Sequence, residues 1–179
     1  MNQRREFLKK GLVLASTAVA TQNLFSLSLP VDKTLHLHNI HTGESIKATF
    51  WQKDHFVDSE LKRLNYFFRD YRIDKVASMD INLFSLLYAI NLVSDSKKPI
   101  EIISGYRSPL TNNRLRKYHH GVAKHSYHTV AKAVDFKIKD RYLKDVLRVS
   151  KMMEMGGVGY YPRDNFIHVD TGPIRSWRG

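Results

Sequence analysis

No cysteine occurs anywhere in the chain. That absence excludes a disulfide framework, a thiolate metal site and a lipobox anchor, so any metal must be held by His, Asp or Glu. Acidic residues are also few: 17 Asp and Glu stand against 29 Lys and Arg, a formal net charge of +12. Residues 1 to 20 contribute only Arg4, Arg5, Lys9, Lys10 and Glu6, so the remainder stays strongly basic. Such charge suits any polyanion, whether nucleic acid, an anionic membrane or an acidic wall polymer. No aromatic-interleaved RNA motif and no DNA-reading helix signature accompanies it, so a nucleic-acid partner is not expected. Internal repeats, low-complexity tracts and interdomain linkers are absent too. With 179 residues, 42% of them hydrophobic, the chain suits a single domain around one core.

No apolar run near the start is long enough to cross a bilayer. Gly11 to Ala20 spans about half of the roughly twenty residues a membrane helix needs. It follows Arg4-Arg5-Glu6-Phe7-Leu8-Lys9-Lys10 and ends in Ala18-Val19-Ala20, the small-x-small pattern that precedes a signal-peptidase cut. Residues 1 to 26 therefore read as a twin-arginine export signal. That reading makes the twin-arginine machinery a partner, the periplasm or cell envelope the destination, and residues 27–179 the folded domain. The route carries folded proteins, which suits an enzyme loaded with metal before export.

Periodicity outlines the domain. Leu35 to Trp51 alternates apolar and polar residues around Thr42-Gly43, the pattern of a β-hairpin. Asp58 or Ser59 can cap a helix carrying Leu61, Leu64, Phe67 or Phe68 and Tyr71 on one side. Asp80 precedes Ile81, Leu83, Phe84, Leu86, Leu87, Ile90 and Val93, too broadly apolar for a surface helix, so this one is expected in the core. Ile100 to Ser104 reads as a central strand and Pro109 to Tyr118 as a helix with proline in its first turn. Gly121 to Thr129 has loop composition, and Ala131 to Ile138 alternates as a strand. Asp140 can cap a helix over Leu143 to Met153 that ends at Gly156-Gly157. Strands at Val158–Tyr161 and Phe166–Asp170 flank the turn Pro162-Arg163-Asp164-Asn165. The class is α+β, a small mixed or antiparallel sheet with flanking helices.

Three clusters in the last third carry chemistry: Ser126-Tyr127-His128, then Asp135 seven residues on, then His168-Val169-Asp170. Two imidazoles and a carboxylate complete the three-ligand protein set of a catalytic zinc, whose fourth position is left to water. Period-two alternation puts Ala131, Ala133 and Asp135 on one strand face, and His168 with Asp170 on another. If those strands are neighbours, the groups converge. Each carboxylate taken alone is as well explained by an ion pair with arginine, since an unpaired buried acid is costly. His36, His38 and His41 form a second histidine group on the hairpin, but no carboxylate matches them and an ordinary alternating strand accounts for them better.

Four stretches together carry a family resemblance: Ser104-Gly105-Tyr106-Arg107-Ser108, Ser126-x-His128-x-x-x-x-Ala133-x-Asp135, Gly156-Gly157-Val158-Gly159-Tyr160-Tyr161, and Phe166-Ile167-His168-Val169-Asp170-Thr171-Gly172-Pro173-x-Arg175-x-Trp177. They resemble the zinc peptidases of the D-alanyl-D-alanine carboxypeptidase and dipeptidase superfamily, more narrowly its exported murein endopeptidase branch of MepK (YcbK-like) proteins. The match runs from Ile100 to Trp177. It implies one Zn²⁺ held by His128, Asp135 and His168, Arg107 as the oxyanion-stabilising group, and peptidoglycan stem-peptide crosslinks as substrate. Two departures stand out. Ala131 replaces a usual glycine, which suggests a tighter cleft, and Asn165 stands where many members carry a catalytic glutamate. The proton acceptor is then expected to be Asp170, with Asp164 as a weaker candidate and an orienting role for Asp170 as the alternative. Tyr106, Ser126 and Tyr160 are expected to contact substrate, together with Tyr127 and Tyr161. The competing reading is a wall-binding protein that holds zinc without turnover.

Overall fold

A computed structural model describes residues 32–118 and 123–179; the expected export signal lies outside them. The elements in order are β1 (Lys33–Asn39), β2 (Ser45–Gln52), β3 (His55–Phe56), α1 (Asp58–Phe67), α2 (Ile81–Ser94), β4 (Ile100–Ser104) and α3 (Pro109–Tyr118). A 3₁₀ turn (Tyr127–Val130) follows, then β5 (Ala133–Ile138), α4 (Leu143–Met152), β6 (Gly157–Tyr161), β7 (Phe166–Asp170) and β8 (Arg175–Arg178). The strands form one mixed sheet in the order β3-β2-β1-β4-β5-β7-β6-β8, parallel only at β1/β4 and β6/β8. The α+β expectation holds, with a sheet of eight strands rather than a small one. The additions at its edges, β3 and β8, are too short to show a period in sequence. No helix among the described residues is long and apolar enough to cross a membrane.

The core lies between the sheet and helices α2 and α4, which contact β1 and β5–β7 respectively. Leu35, Leu37, Phe50, Ile100, Ile102, Val134, Phe136, Ile167 and Val169 are buried from the strands. From α2 come Leu83, Phe84, Leu86, Leu87 and Ile90, one broad side of the helix, while Asn82 and Leu92 on the other side are exposed. Phe84 meets Phe50 at 6.1 Å and Phe68 at 5.7 Å. Each such side chain contributes roughly 1.5–3 kcal/mol on burial. A helix cap is worth about 1 kcal/mol, so packing decides where the helices sit.

The caps bear this out. Asp80 caps α2 as expected, its Oδ1 accepting the Asn82 amide at 3.0 Å. At α1 the N-cap is Val57, with no side-chain bond, and Asp58 is already helical. Asp58 and Glu60 then favour the helix through the macrodipole alone. Tyr71 falls beyond its end. Asp140 does not cap α4 either: it accepts the Ser96 hydroxyl at 2.6 Å and the Lys97 amide at 3.3 Å, while Tyr142 takes the N-cap position.

Candidate metal centre

β5 and β7 are antiparallel neighbours, with Asp135 directly opposite His168 and Ala133 opposite Asp170. A register shift in β4 between Ile102 and Ser104 brings Ser104 opposite Asp135, and β6 and β8 continue the row with Gly159 and Trp177. Ser104, Asp135, His168, Gly159 and Trp177 thus form one line across five strands on a single face. Val134, Phe136, Ile167 and Val169 alternate to the other face, in the core. His128 reaches the row from outside the sheet, on the 3₁₀ turn.

Both imidazoles are buried and both have their orientation fixed by a second partner. His128 Nδ1 lies 2.7 Å from the Gly105 carbonyl, which can only accept, so Nδ1 carries the proton and the Nε2 lone pair faces the cluster. His168 Nε2 lies 3.0 Å from Asp170 Oδ2, so when that ring is neutral the same reasoning leaves the Nδ1 lone pair facing in. The inward atoms are close: 3.2 Å between the two nitrogens, 3.2 Å from His128 Nε2 to Asp135 Oδ2, and 2.8 Å from His168 Nδ1 to Asp135 Oδ1. Donors about 2.0 Å from a tetrahedral ion stand ~3.3 Å apart, so this spacing fits a metal. Among the described residues this is the only group of three or more such side chains suited to an ion.

The electrostatics agree with the geometry. Burial pushes the His168 imidazole down, but Asp135 and Asp170 on its two sides outweigh that and raise it to about 9. Burial raises Asp135, and the two histidines more than reverse it, holding the carboxylate far below its usual range. His128 is lowered, chiefly by burial and then by the charges of Arg107 and His168. At neutral pH and without a metal His168 thus holds a second proton, on Nδ1 toward Asp135, and a cation bound there would take that proton's place.

Asp170 does not reach this corner. It has no exposed surface and is saturated with donors. Oδ1 accepts the amides of Gly157 (3.2 Å) and Gly172 (2.9 Å) and Arg175 Nη1 (3.0 Å), and Oδ2 accepts His168 Nε2 (3.0 Å) and Arg175 Nη2 (2.7 Å). Burial raises its pKa, but His168 and Arg175 override this and hold it far below the usual carboxylate range. A carboxylate so saturated with donors, on the outer nitrogen of His168, is better placed to orient that ring than to accept a proton. These surroundings suit the orienting role, the alternative to the expected catalytic one. Asp164 sits on the exposed β6–β7 turn with no bond to the cluster. Asn165, on the same turn, occupies a left-handed position (φ 56°), a backbone need that asparagine meets.

Glycines make the outer end of the row possible. A Cβ on Gly157 would lie 2.4 Å from Arg175 Nη1 and 2.5 Å from Asp170 Oδ2, and one on Gly159 would lie 2.7 Å from the Trp177 ring. Only bare backbone at β6 lets Arg175 and Trp177 fold across it toward β7. Trp177 then stands 5.2 Å from the His168 ring and donates Nε1–H to the Tyr161 hydroxyl at 2.9 Å.

Arg107 follows β4, beside Asp135. Its Nη2 lies 3.2 Å from Ser104 Oγ and 3.7 Å from Asp135 Oδ2, and its Nη1 lies 3.5 Å from Asn112 Oδ1. Its Nε is buried without a hydrogen-bond partner. The guanidinium is close to the candidate metal ligands, with donors left over.

Three expected substrate contacts change. Tyr106 is buried, 8% exposed, so it packs rather than lining a groove. Ser126 caps the 3₁₀ turn, its Oγ accepting the His128 amide at 3.3 Å, and so helps to position His128. Tyr160 alternates to the opposite sheet face from Gly159 and His168; Tyr161 is the tyrosine on the site face. Ala131 lies before β5 rather than on it, in a left-handed conformation (φ 58°). An L-residue pays about 1–2 kcal/mol in that conformation, so backbone geometry alone gives a reason for glycine at this position. The hairpin histidines do not gather: His38 bonds to Ser45 Oγ and His41 stacks on Tyr71. Sequence reasoning missed Gly105 as orienter of His128, Asn112, and Asp80, which accepts the Thr171 hydroxyl at 2.7 Å just past β7.

A family model described as peptidoglycan L,D-endopeptidase MepK matches residues 29–177. The chain is 46% identical over 176 residues to the proteins named peptidoglycan L,D-endopeptidase MepK in Escherichia coli strain K12 and in Shigella flexneri, covering 98% of this chain and 97% of each relative. It is 41% identical over 179 residues to the probable peptidoglycan L,D-endopeptidase MepK of Haemophilus influenzae, covering 99% of this chain and 96% of that one. No solved structure matches it.

Proposed function

The chain belongs to the peptidoglycan L,D-endopeptidase MepK family, and from that premise we propose that it is a zinc-dependent murein endopeptidase that hydrolyses amide bonds in stem-peptide crosslinks. The observation that carries this reading is the inward facing of two imidazole lone pairs and one carboxylate, each ring held from behind by an acceptor. The L,D designation of the relatives favours a crosslink between two diaminopimelates, because a D-alanyl link to a D-centre is a D,D bond. Peptidoglycan lies outside the cytoplasmic membrane, so the site of action is the periplasm, and we attribute delivery to the twin-arginine pathway on the strength of Arg4-Arg5 and the apolar run after them.

In this reading His128, Asp135 and His168 hold the zinc. A zinc ion bound there supplies Lewis acidity that polarises the scissile carbonyl and makes water nucleophilic near neutral pH. Gly105 and Asp170 fix the imidazole tautomers. Arg107 directs its spare N–H donors at the oxygen where negative charge grows, inside a site dry enough for them to count. Trp177 and Tyr161 wall the outer side of His168.

Purified protein given crosslinked muropeptide dimers is expected to release monomers, to stop when a strong chelator removes metal, and to recover on addition of Zn²⁺. Full activity under chelation would sink the metal reading, whereas zinc binding with no turnover would point to an inactive wall-binding protein. Asp170→Asn separates orientation from base catalysis. Loss of an outer partner of a ligating histidine costs typically 10–100-fold in metal affinity or activity, so zinc affinity by chelator competition should fall in that range. Saturating zinc should restore most of the activity; a defect that zinc leaves untouched would return Asp170 to the base role.

A further inference from the structure

Asp70 has no exposed surface, and no lysine or arginine forms an ion pair with it among the described residues. A carboxylate buried this way is expensive unless it is fully bonded and serves a purpose. It lies in a tight turn just past α1, where its own amide and carbonyl bond to Lys75. Its Oδ1 accepts the Arg72 amide at 3.3 Å, and its Oδ2 reaches across the fold to the Ser108 amide at 2.9 Å. Burial pushes its pKa up, but the Thr111 and Ser108 hydroxyls beside it and these two amides more than offset that, so it stays ionised.

The Ser108 bond is one of three. The consecutive amides of Tyr106, Arg107 and Ser108 are bound by the Phe68 carbonyl at 2.8 Å, the His128 carbonyl at 3.1 Å and the Asp70 carboxylate at 2.9 Å. The segment Phe68–Asp70 thus runs along the Arg107 loop, so close that a Cβ on Gly105 would lie 2.6 Å from the Phe68 carbonyl oxygen. Arg107's guanidinium, by contrast, has only contacts of 3.2, 3.5 and 3.7 Å, and a free Nε. A group that must keep its donors free for substrate cannot be fixed by strong bonds to those donors. It can be fixed through its backbone.

We propose that Asp70 is a positioning residue for Arg107: by holding the Ser108 amide it sets the backbone that aims the guanidinium at the metal centre. The inference rests on the reading of Arg107 as the oxyanion partner. A purely structural role is the competing account, because Ser108 also caps α3 through Thr111 and a negative charge is favourable at a helix start. A double-mutant cycle separates the two. On purified diaminopimelate-crosslinked muropeptide dimers, Asp70→Asn should lower kcat on the order of 10- to 100-fold, the scale of a misplaced catalytic group, with KM and zinc stoichiometry little changed. In an Arg107→Ala background the same change should cost less than about twofold, since there is no guanidinium left to aim. Equal losses in both backgrounds overturn the proposal, as does wild-type kcat for Asp70→Ala, which removes the acceptor that the Oδ1 of an asparagine could still offer the Ser108 amide. If Asp70→Asn does not fold, Asp70→Glu, which keeps the charge and lengthens its reach, is put through the same cycle and read by the same criteria. Unchanged activity for Arg107→Ala alone would instead defeat the role given to Arg107, an outcome distinct from failure of the Asp70 proposal.

Discussion

Asp135→Ala is expected to remove both zinc binding and hydrolysis while leaving the fold in place. Asp135 is the one carboxylate in contact with both inward nitrogens, at 3.2 Å from His128 Nε2 and 2.8 Å from His168 Nδ1. Without it two neutral rings face each other with no negative charge to attract a cation, and a catalytic zinc needs three protein ligands. The loss of affinity should exceed the 10–100-fold seen when only an outer partner of a ligand is removed. Zinc measured in protein dialysed against buffer should fall from one per chain to near zero, and muropeptide cleavage should fall with it. The fold should persist because the neighbours of Asp135 on the core side, Val134 and Phe136, are untouched and fully buried. Retention of stoichiometric zinc by Asp135→Ala would show that the ion is held by some other set of side chains.

The legible part of this site was the part written in short periods. Alternation with period two put Asp135 on one strand face and His168 on another, and the register of β5 against β7 brings them opposite each other. The core position of α2 was also plain from its broadly apolar pattern, although Asn82 and Leu92 keep one side of it in water. What stayed hidden depends on partners far away in the chain. Asp170 shares a face with His168, and that alone made it resemble a base. Its actual partners, Arg175 and the amides of Gly157 and Gly172, already occupy its oxygens and suit an orienting role. Tyr160 and Tyr161 are adjacent and equivalent by composition, yet the β6–β7 register puts only Tyr161 on the site face. Asp70 and Gly105 act through single long-range bonds, which leave no spacing signal at all.

The glycines of β6 show how one sequence feature serves two scales. At Gly157 and Gly159 the missing side chains leave the space into which Arg175 and Trp177 of the edge strand fold. Arg175 then neutralises Asp170, and this allows Asp170 to remain a buried anion that orients His168. The chain of support runs from β8 across β6 to His168 on β7. The resemblance marked these glycines, but only the strand register gives their reason.

Arg107→Ala should separate catalysis from metal binding more sharply than any ligand change. Removal of a donor that stabilises an oxyanion costs roughly 10²–10³ in kcat, about 2.7–4 kcal/mol. Arg107 suits that role because its side chain is mostly buried, 12% exposed, so its charge is little screened by water. Its effect on zinc should have the opposite sign. A guanidinium 3.7 Å from Asp135 Oδ2 competes with a second cation for the same carboxylate, so the variant should bind zinc as tightly as wild type or more tightly. Arg107→Lys keeps the charge but loses the planar fork of donors, and should recover only part of the rate. Kinetics on crosslinked dimers beside a chelator-competition titration read both quantities on one preparation. A variant that lost zinc and activity together would make Arg107 a support for the ligand set. Loss of kcat with zinc affinity kept or raised is the result that follows from a cation aimed at the reacting oxygen.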